Sequence, residues 1–175
     1  NKKDAIDKFT QYATSYAGIS IQPLKERYPQ GGEKQLIDAL IRRQVPSGEL
    51  PISVGAVVQN VGTTFAVYEA VQKNKPLIER IVTITGKEVK NPCNVRSRIG
   101  ISFQTLIDFA GGLPPTTGKI ISGGPMMGKA VARTDIPVVK GISGILLIPL
   151  SEARRKAPRD CIRCAKCIHV CPMGL

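Results

Sequence analysis

Four cysteines fall within eleven residues, at Cys161, Cys164, Cys167 and Cys171, and Pro172 follows the last of them. Thiolates spaced x2, x2 and x3 are the ligand set of iron–sulfur clusters. Three sulfurs two residues apart let a tight loop wrap one face of a cubane. The fourth starts a turn or helix, and Pro172 keeps the chain from folding back as sheet. Zinc is the competing metal, but it usually draws on two separated Cys pairs, which fill a tetrahedron from two knuckles. The spacing therefore favours a 4Fe–4S cluster with all four cysteines as metal ligands. In two-cluster proteins the fourth cysteine of such a run binds the other cluster. On that pattern Cys161, Cys164 and Cys167 serve one cluster and Cys171 a second, whose other ligands lie beyond Leu175.

The surroundings of the run are basic. Arg154, Arg155, Lys156, Arg159, Arg163 and Lys166 lie beside it, whereas Glu152 and Asp160 are the acidic residues of 151–175. Cations near an anionic cluster raise its potential and steer an acidic redox partner towards it. A solvated basic linker is the plainer reading of Arg154 to Lys156. His169 is expected to face solvent or stand behind the ligands. Crowding of the cysteines argues against a disulfide scaffold, which would spread them between distant loops, and places the chain in a reducing compartment. The fifth, Cys93, is expected to be structural.

The whole chain has 175 residues and a formal net charge of +12. Its 42% hydrophobic content is that of a globular protein able to bury a core. It has no Trp and 5% aromatics, so base-stacking platforms are missing and nucleic acid is not an expected partner. The longest apolar run, around Ile145 to Pro149, is far short of the ~20 residues that span a bilayer. The opening Asn1-Lys2-Lys3, without an initiator Met, reads as the start of a piece of something longer.

Positioning the cysteines requires the elements before them. Helical spacing predicts helices over 4–17 and 33–43, and Ile19 to Leu24 alternates as a strand does. Val54 to Gln59 reads as a buried strand, and Asn60-Val61-Gly62-Thr63 turns the chain into a helix running to about Lys73. This first region is α/β in character. After Lys75-Pro76, strands are expected at 80–85, 95–99, 120–122 and 143–150, with one helix at 102–110 stopped by Gly111-Gly112-Leu113-Pro114-Pro115. Such a ββαββ order suggests a small β-grasp-like sheet packed on one helix. Residues 151–159 read as a basic connector. The fold class is therefore α+β.

Two Gly-containing loops precede helices: Tyr28-Pro29-Gln30-Gly31-Gly32-Glu33-Lys34 and Gln59-Asn60-Val61-Gly62-Thr63. Glycine there frees N–H groups for phosphate or flavin oxygens, although ordinary turn chemistry also accounts for Gly31-Gly32. No G-x-G-x-x-G is present, so an independent dinucleotide site is not indicated. Gly123-Gly124-Pro125-Met126-Met127-Gly128 reads as a tight turn with its methionines in packing roles.

In order, Ile21-Gln22-Pro23-Leu24-Lys25, the Tyr28 loop through Leu36, Val57 to Thr63, Gly123 to Gly128 and Cys161 to Pro172 resemble the RnfC/RsxC family. These are the peripheral subunits of the bacterial Rnf ion-translocating electron-transport complex, similar in architecture to the flavin-carrying subunit of respiratory complex I. The resemblance implies three parts. Residues 1–75 would be the C-terminal portion of an α/β NADH/FMN-binding domain. Residues 76–150 would be an SLBB (soluble-ligand-binding β-grasp) module, and 151–175 the connector and start of a ferredoxin-like 4Fe–4S domain.

By the same resemblance, Tyr28, Gly31, Gly32 and Glu33 match the flavin-side loop, and Gln59, Asn60 and Thr63 match the N-N-V-E-T segment. Gln59 replaces its first Asn and Gly62 its Glu, so a change in flavin affinity or potential is expected. The implied function is electron transfer from NADH through FMN and 4Fe–4S clusters, with other Rnf subunits and an acidic partner such as ferredoxin. The implied location is peripheral, at the cytoplasmic face of the inner membrane, with membrane contact made through partner subunits. A residue 1–175 piece is expected to lack activity and firmly held FMN by itself. A related flavin/iron–sulfur cobalamin reductase and a non-catalytic SLBB interaction module are the alternatives.

Overall fold

The computed structural model describes residues 2–27, 29–154 and 157–171. They form two compact units, Asn1–Gln59 with Arg163–Leu175, and Asn60–Ile162.

The first unit is built of helices and turns. Helix α1 (Lys3–Ala13) buries none of its residues and leaves Phe9 and Tyr12 exposed. Helix α2 (Glu33–Ile41) buries Ile37 and ends on Arg42 in the left-handed conformation. A 3-10 turn follows at Pro51–Val54. Long side chains tie these pieces together: Lys34 Nζ donates to the Pro46 carbonyl (2.9 Å) and Arg43 Nη1 to that of Val54 (2.8 Å). Neither strand expected here forms. Ile19 to Leu24 has no sheet pairing among the described residues, and Pro23 removes one N–H a ladder would need. Over 54–59, Gly55 is left-handed and the Ala56 N–H donates back to the Pro51 carbonyl, so local turn bonds take the place of a ladder.

The second unit opens with α3 (Val61–Lys73), capped by Asn60, whose side chain accepts from the Gly62 N–H at 2.9 Å. A mixed sheet follows, of β1 (Glu79–Thr85), β2 (Cys93–Arg98), β3 (Thr117–Ser122), β4 (Lys129–Val131) and β5 (Gly144–Pro149). Its order is β2-β1-β5-β3-β4; the β1–β5 pair is parallel and the other pairs antiparallel. One face carries the core. Val82 and Ile84 of β1, Ile120 of β3 and Ile145 and Leu147 of β5 pack with Phe103, Leu106, Ile107 and Ala110 of α4 (Phe103–Phe109) and its C-cap. Each large apolar side chain so buried contributes about 1.5–3 kcal/mol of transfer free energy. Val89, after β1, and Val138 and Ile142, from the segment entering β5, complete the cluster.

Period-2 burial is clean in β1, where Val82 and Ile84 are buried between exposed Ile81, Thr83 and Thr85. It fades in β5, which lies in the middle of the sheet and buries four of six residues. Close approach of backbone explains two glycines. A Cβ at Gly86 (φ +156°) would lie 2.3 Å from the Leu147 carbonyl oxygen. One at Gly118 would lie 2.6 Å from Leu150 Cα, where the short α5 (Leu150–Ala153) sits against β3.

Lys75 clamps α3 to β1. Its ammonium lies 3.1 Å from Glu69 Oε1 and 2.7 Å from Glu79 Oε1. The hydrogen bond to Glu79, then that to Glu69, raises the lysine pKa. The bond from Lys75 holds the Glu79 carboxyl below the usual glutamate value, with burial opposing. Glu79 thus contributes stability above the ordinary glutamate pKa, which is lost as pH falls through its depressed one. Lys75 contributes below the ordinary lysine pKa, and that is lost as pH rises through its raised one. The expected result is that Lys75→Met is less stable than the parent at neutral pH and that the deficit shrinks on acidification. Urea unfolding across a pH series reads this, and a deficit unchanged by acid would remove the clamp.

Candidate functional site

The cysteine run occupies a short exposed segment. Cys161, Cys164 and Cys167 are exposed and Cys171 is half-buried. Cys167 lies in α6 (Lys166–His169), and the Cys171 N–H donates to the Ile168 carbonyl at 3.2 Å. Arg163 (φ 56°) and Ala165 (φ 57°), on either side of Cys164, are both left-handed. Neither is glycine, so each carries about 1–2 kcal/mol of steric cost. Strained backbone of this kind concentrates at ligand sites. Left-handed residues between ordinary ones also turn successive N–H groups inward, the concavity that holds anions and iron–sulfur centres.

Soft donors, exposure and this loop conformation suit an iron–sulfur cluster. Convergence is lacking, since among the described residues no three His, Cys, Asp or Glu side chains form a group able to hold a metal ion. Cys161 belongs to the second compact unit and the other three to the first. Pro172, Arg155 and Lys156 lie outside the described residues; Arg154, Arg159, Arg163, Lys166 and His169 are exposed.

The flavin-loop residues divide in the same way. Tyr28 lies outside the described residues. Gly31 is in the turn before α2, Gly32 is its N-cap and Glu33 its first residue, exposed. Gly32 has an ordinary extended backbone (φ −66°, ψ 142°), so its lack of a side chain is a matter of space. A Cβ there would meet Gln35 Oε1 at 2.4 Å and the Pro29 carbonyl at 3.1 Å. Beside it, Gln30 Oε1 is buried without a hydrogen-bond partner among the described residues, in a shallow cleft of about 290 Å³ with Arg27, Pro29 and Gln35. A buried acceptor left unpaired calls for a donor, and the N–H and ribityl O–H groups of a flavin are donors. The loop therefore fits such a ligand, and Gln30 is a residue that motif reading passed over.

Gln59 closes the first unit and is exposed; Asn60 and Thr63 belong to the second. Asn60 already spends its side-chain oxygen on the Gly62 N–H, and its carbonyl accepts from Thr63 and Thr64, each at 2.9 Å. Asn60 and Gly62 line a cleft of about 420 Å³ between α3 and the sheet, with Phe65, Ala66, Arg80, Ile81 and Arg96 among its walls. Arg80 shares the inward register of Val82 and Ile84 on β1. A charge at an inward position of an alternating strand was the available signal for it.

No helix among the described residues is long and apolar enough to cross a membrane. Residues 1–69 match a model of the Nuo51 FMN-binding domain and residues 81–130 a model of the SLBB domain. The sheet continues beyond that second match, since β5 ends at Pro149. Over 175 residues the chain is 46% identical to the C subunit of the Na(+)-translocating ferredoxin:NAD(+) oxidoreductase complex of Acetobacterium woodii, with all of this chain and 40% of that protein covered. It is 48% identical over 177 residues to the C subunit of the proton-translocating ferredoxin:NAD(+) oxidoreductase complex of Clostridium ljungdahlii, covering all of this chain and 38% of that one. The C subunit of the ion-translocating oxidoreductase complex of Serratia proteamaculans is 40% identical over 177 residues, again along the whole chain but along 25% of its own length. The chain thus spans at most about two-fifths of these relatives.

Proposed function

We propose, from the premise that this chain is a homologue of RnfC over part of that protein's length, that it carries electrons between a flavin and iron–sulfur clusters. The supporting observation is the pairing, on one chain, of an FMN-binding-domain match with a four-cysteine cluster run. When bound, FMN exchanges a hydride with a nicotinamide and single electrons with a cluster, which neither group does alone. NADH, ferredoxin and the other Rnf subunits are the partners this reading assigns, with the chain peripheral at the cytoplasmic face of the inner membrane.

Within that function the residues divide the work. Tyr28, Gly31, Gly32, Glu33 and Gln30 form the flavin loop, Gln30 accepting from the flavin. Gln59, Asn60 and Thr63 form the second flavin segment, with Asn60 fixing the start of α3. Cys161, Cys164, Cys167 and Cys171 supply thiolates at the opening of a ferredoxin-like domain. The exposed cations around them offset cluster charge and attract an acidic redox partner.

The test is the whole subunit, purified and reconstituted anaerobically, with flavin, iron and NADH-driven reduction measured together. Stoichiometric FMN and bleaching of cluster absorbance by NADH are expected; a flavin-free, iron-free subunit sinks the reading. Gln30→Leu in that subunit is expected to weaken FMN binding about two- to tenfold, one hydrogen bond's worth. Its thermal stability is expected to match or exceed the parent's, because an orphan acceptor is replaced by apolar volume. Unchanged FMN affinity would take Gln30 out of the flavin loop.

A further inference from the structure

Among the described residues β2 is an outer strand of the sheet, with β1 as its neighbour. The Ile99 N–H donates to the Ile78 carbonyl at 2.9 Å, one step beyond the Glu79↔Arg98 pair. Antiparallel partners alternate between bonded and unbonded pairs. Ser97, Val95 and Cys93 therefore bond β1, while the backbone groups of Arg98, Arg96 and Asn94 point away from the sheet. The Arg98 carbonyl is taken, by the Ser97 hydroxyl at 3.2 Å and the Ile101 N–H at 3.4 Å. The N–H groups of all three residues and the carbonyls of Asn94 and Arg96 have no partner among the described residues, and all three residues are exposed.

An edge left open in this way is a template for a further strand, and its charge says what kind. Asn94, Arg96 and Arg98 share one face of β2. The acidic groups nearby are Glu69 and Glu79, and Lys75 holds both, at 3.1 and 2.7 Å. Glu79 reaches Arg96 only at 4.0 Å. β2 itself contains two arginines and no acidic residue, and β4, at the opposite edge, contains Lys129 and no acidic residue. Pairing β2 with β2 or β4 of a second copy would set cation against cation, which is unfavourable across a ladder. A segment with acidic residues at alternate positions would instead set carboxylates beside the guanidiniums, on the same face.

We propose that β2 docks an extended acidic segment of a partner protein by strand addition, with Arg96 and Arg98 reading carboxylates two residues apart. The backbone of Asn94, Arg96 and Arg98 supplies the ladder, and the arginines supply the choice of partner. This stands apart from the flavin and cluster reading, because every group it uses belongs to the second compact unit.

The probe is a fluorescein-labelled peptide alternating glutamate with threonine, titrated into the whole subunit by anisotropy. Binding that weakens with salt is expected of the parent. Arg96→Glu combined with Arg98→Glu is expected to lower affinity roughly tenfold or more. Asn94→Pro removes an outward N–H and no charge, and is expected to cost roughly two- to tenfold. Asn94→Ala is its control, since both variants lose the 2.7 Å bond between Asn94 Oδ1 and the Thr83 hydroxyl but only Ala keeps the N–H. Its affinity is expected to change less than about twofold. Amide exchange read residue by residue in the parent is expected to slow at Asn94, Arg96 and Arg98 when peptide is added, with Val95 and Ser97 unchanged. No binding of the peptide, or parental affinity in the double charge reversal, overturns the proposal. Parental affinity in an Asn94→Pro variant of parental stability leaves charge attraction alone and overturns strand addition. Should Asn94→Pro unfold, exchange left unchanged at all three outward amides overturns it in the same way.

Discussion

Cys164→Ala, introduced into the whole subunit and reconstituted anaerobically, is expected to carry about four iron atoms fewer per chain than the parent, one cubane's content. Cys164 is exposed and flanked by the two left-handed residues, so its loss removes a donor without disturbing a packed core. Alanine is the informative replacement, since a serine oxygen could still approach iron. The reduced variant is expected to lack the EPR signal of the affected cluster while keeping its flavin. Cys171→Ala separates the two ways of sharing the ligands. If Cys171 belongs to the second cluster, the signal lost differs from that lost with Cys164. Unchanged iron in Cys164→Ala, or stoichiometric zinc in the parent, would defeat the cluster assignment.

Phe103→Ala is expected to lower stability by about 3–5 kcal/mol, a large fraction of the roughly 5–15 kcal/mol available to a domain. Phe103 is 1% exposed and touches the centre of the core through α4. The same helix provides the control, because Phe109 is 69% exposed. Phe109→Ala is expected to change stability by no more than about 0.5 kcal/mol. Urea midpoints of the two variants, read by circular dichroism, make the comparison. Similar costs at both positions would mean that α4 does not bury the face described here.

Much of this architecture is legible in the pattern of residue types. Asn60 announced α3, whose observed start at Val61 and end at Lys73 match its cap and apolar spacing. Alternation in Ile81, Val82 and Ile84 marked β1, and Ser102 marked the start of α4, its hydroxyl accepting from the Thr105 N–H. Ile19 to Leu24 and Val54 to Gln59 misled, because alternation or an apolar run marks a strand only where a neighbour supplies the ladder. At three residues, β4 is too short for any periodic signal, and the expected four-stranded order became five. At the sites, spacing singled out the four cysteines from residue types alone, and the structure shows three of them exposed and one half-buried. It was silent on Gln30, whose side-chain oxygen is buried without a partner among the described residues, a property of the fold.

The place of β5 has a consequence for how the protein is made. The central strand is the last of the five to be synthesised. Until Gly144–Pro149 is available, β1–β2 and β3–β4 are separate two-stranded ribbons, and such ribbons are marginal in water. Joining β5 to β1 closes a long stretch of chain, a slow kind of step. At roughly 5–20 residues per second, Cys161 follows Pro149 in synthesis by about 0.6 to 2.4 seconds. The four-cysteine run is thus synthesised directly after the strand that joins the two halves of the sheet.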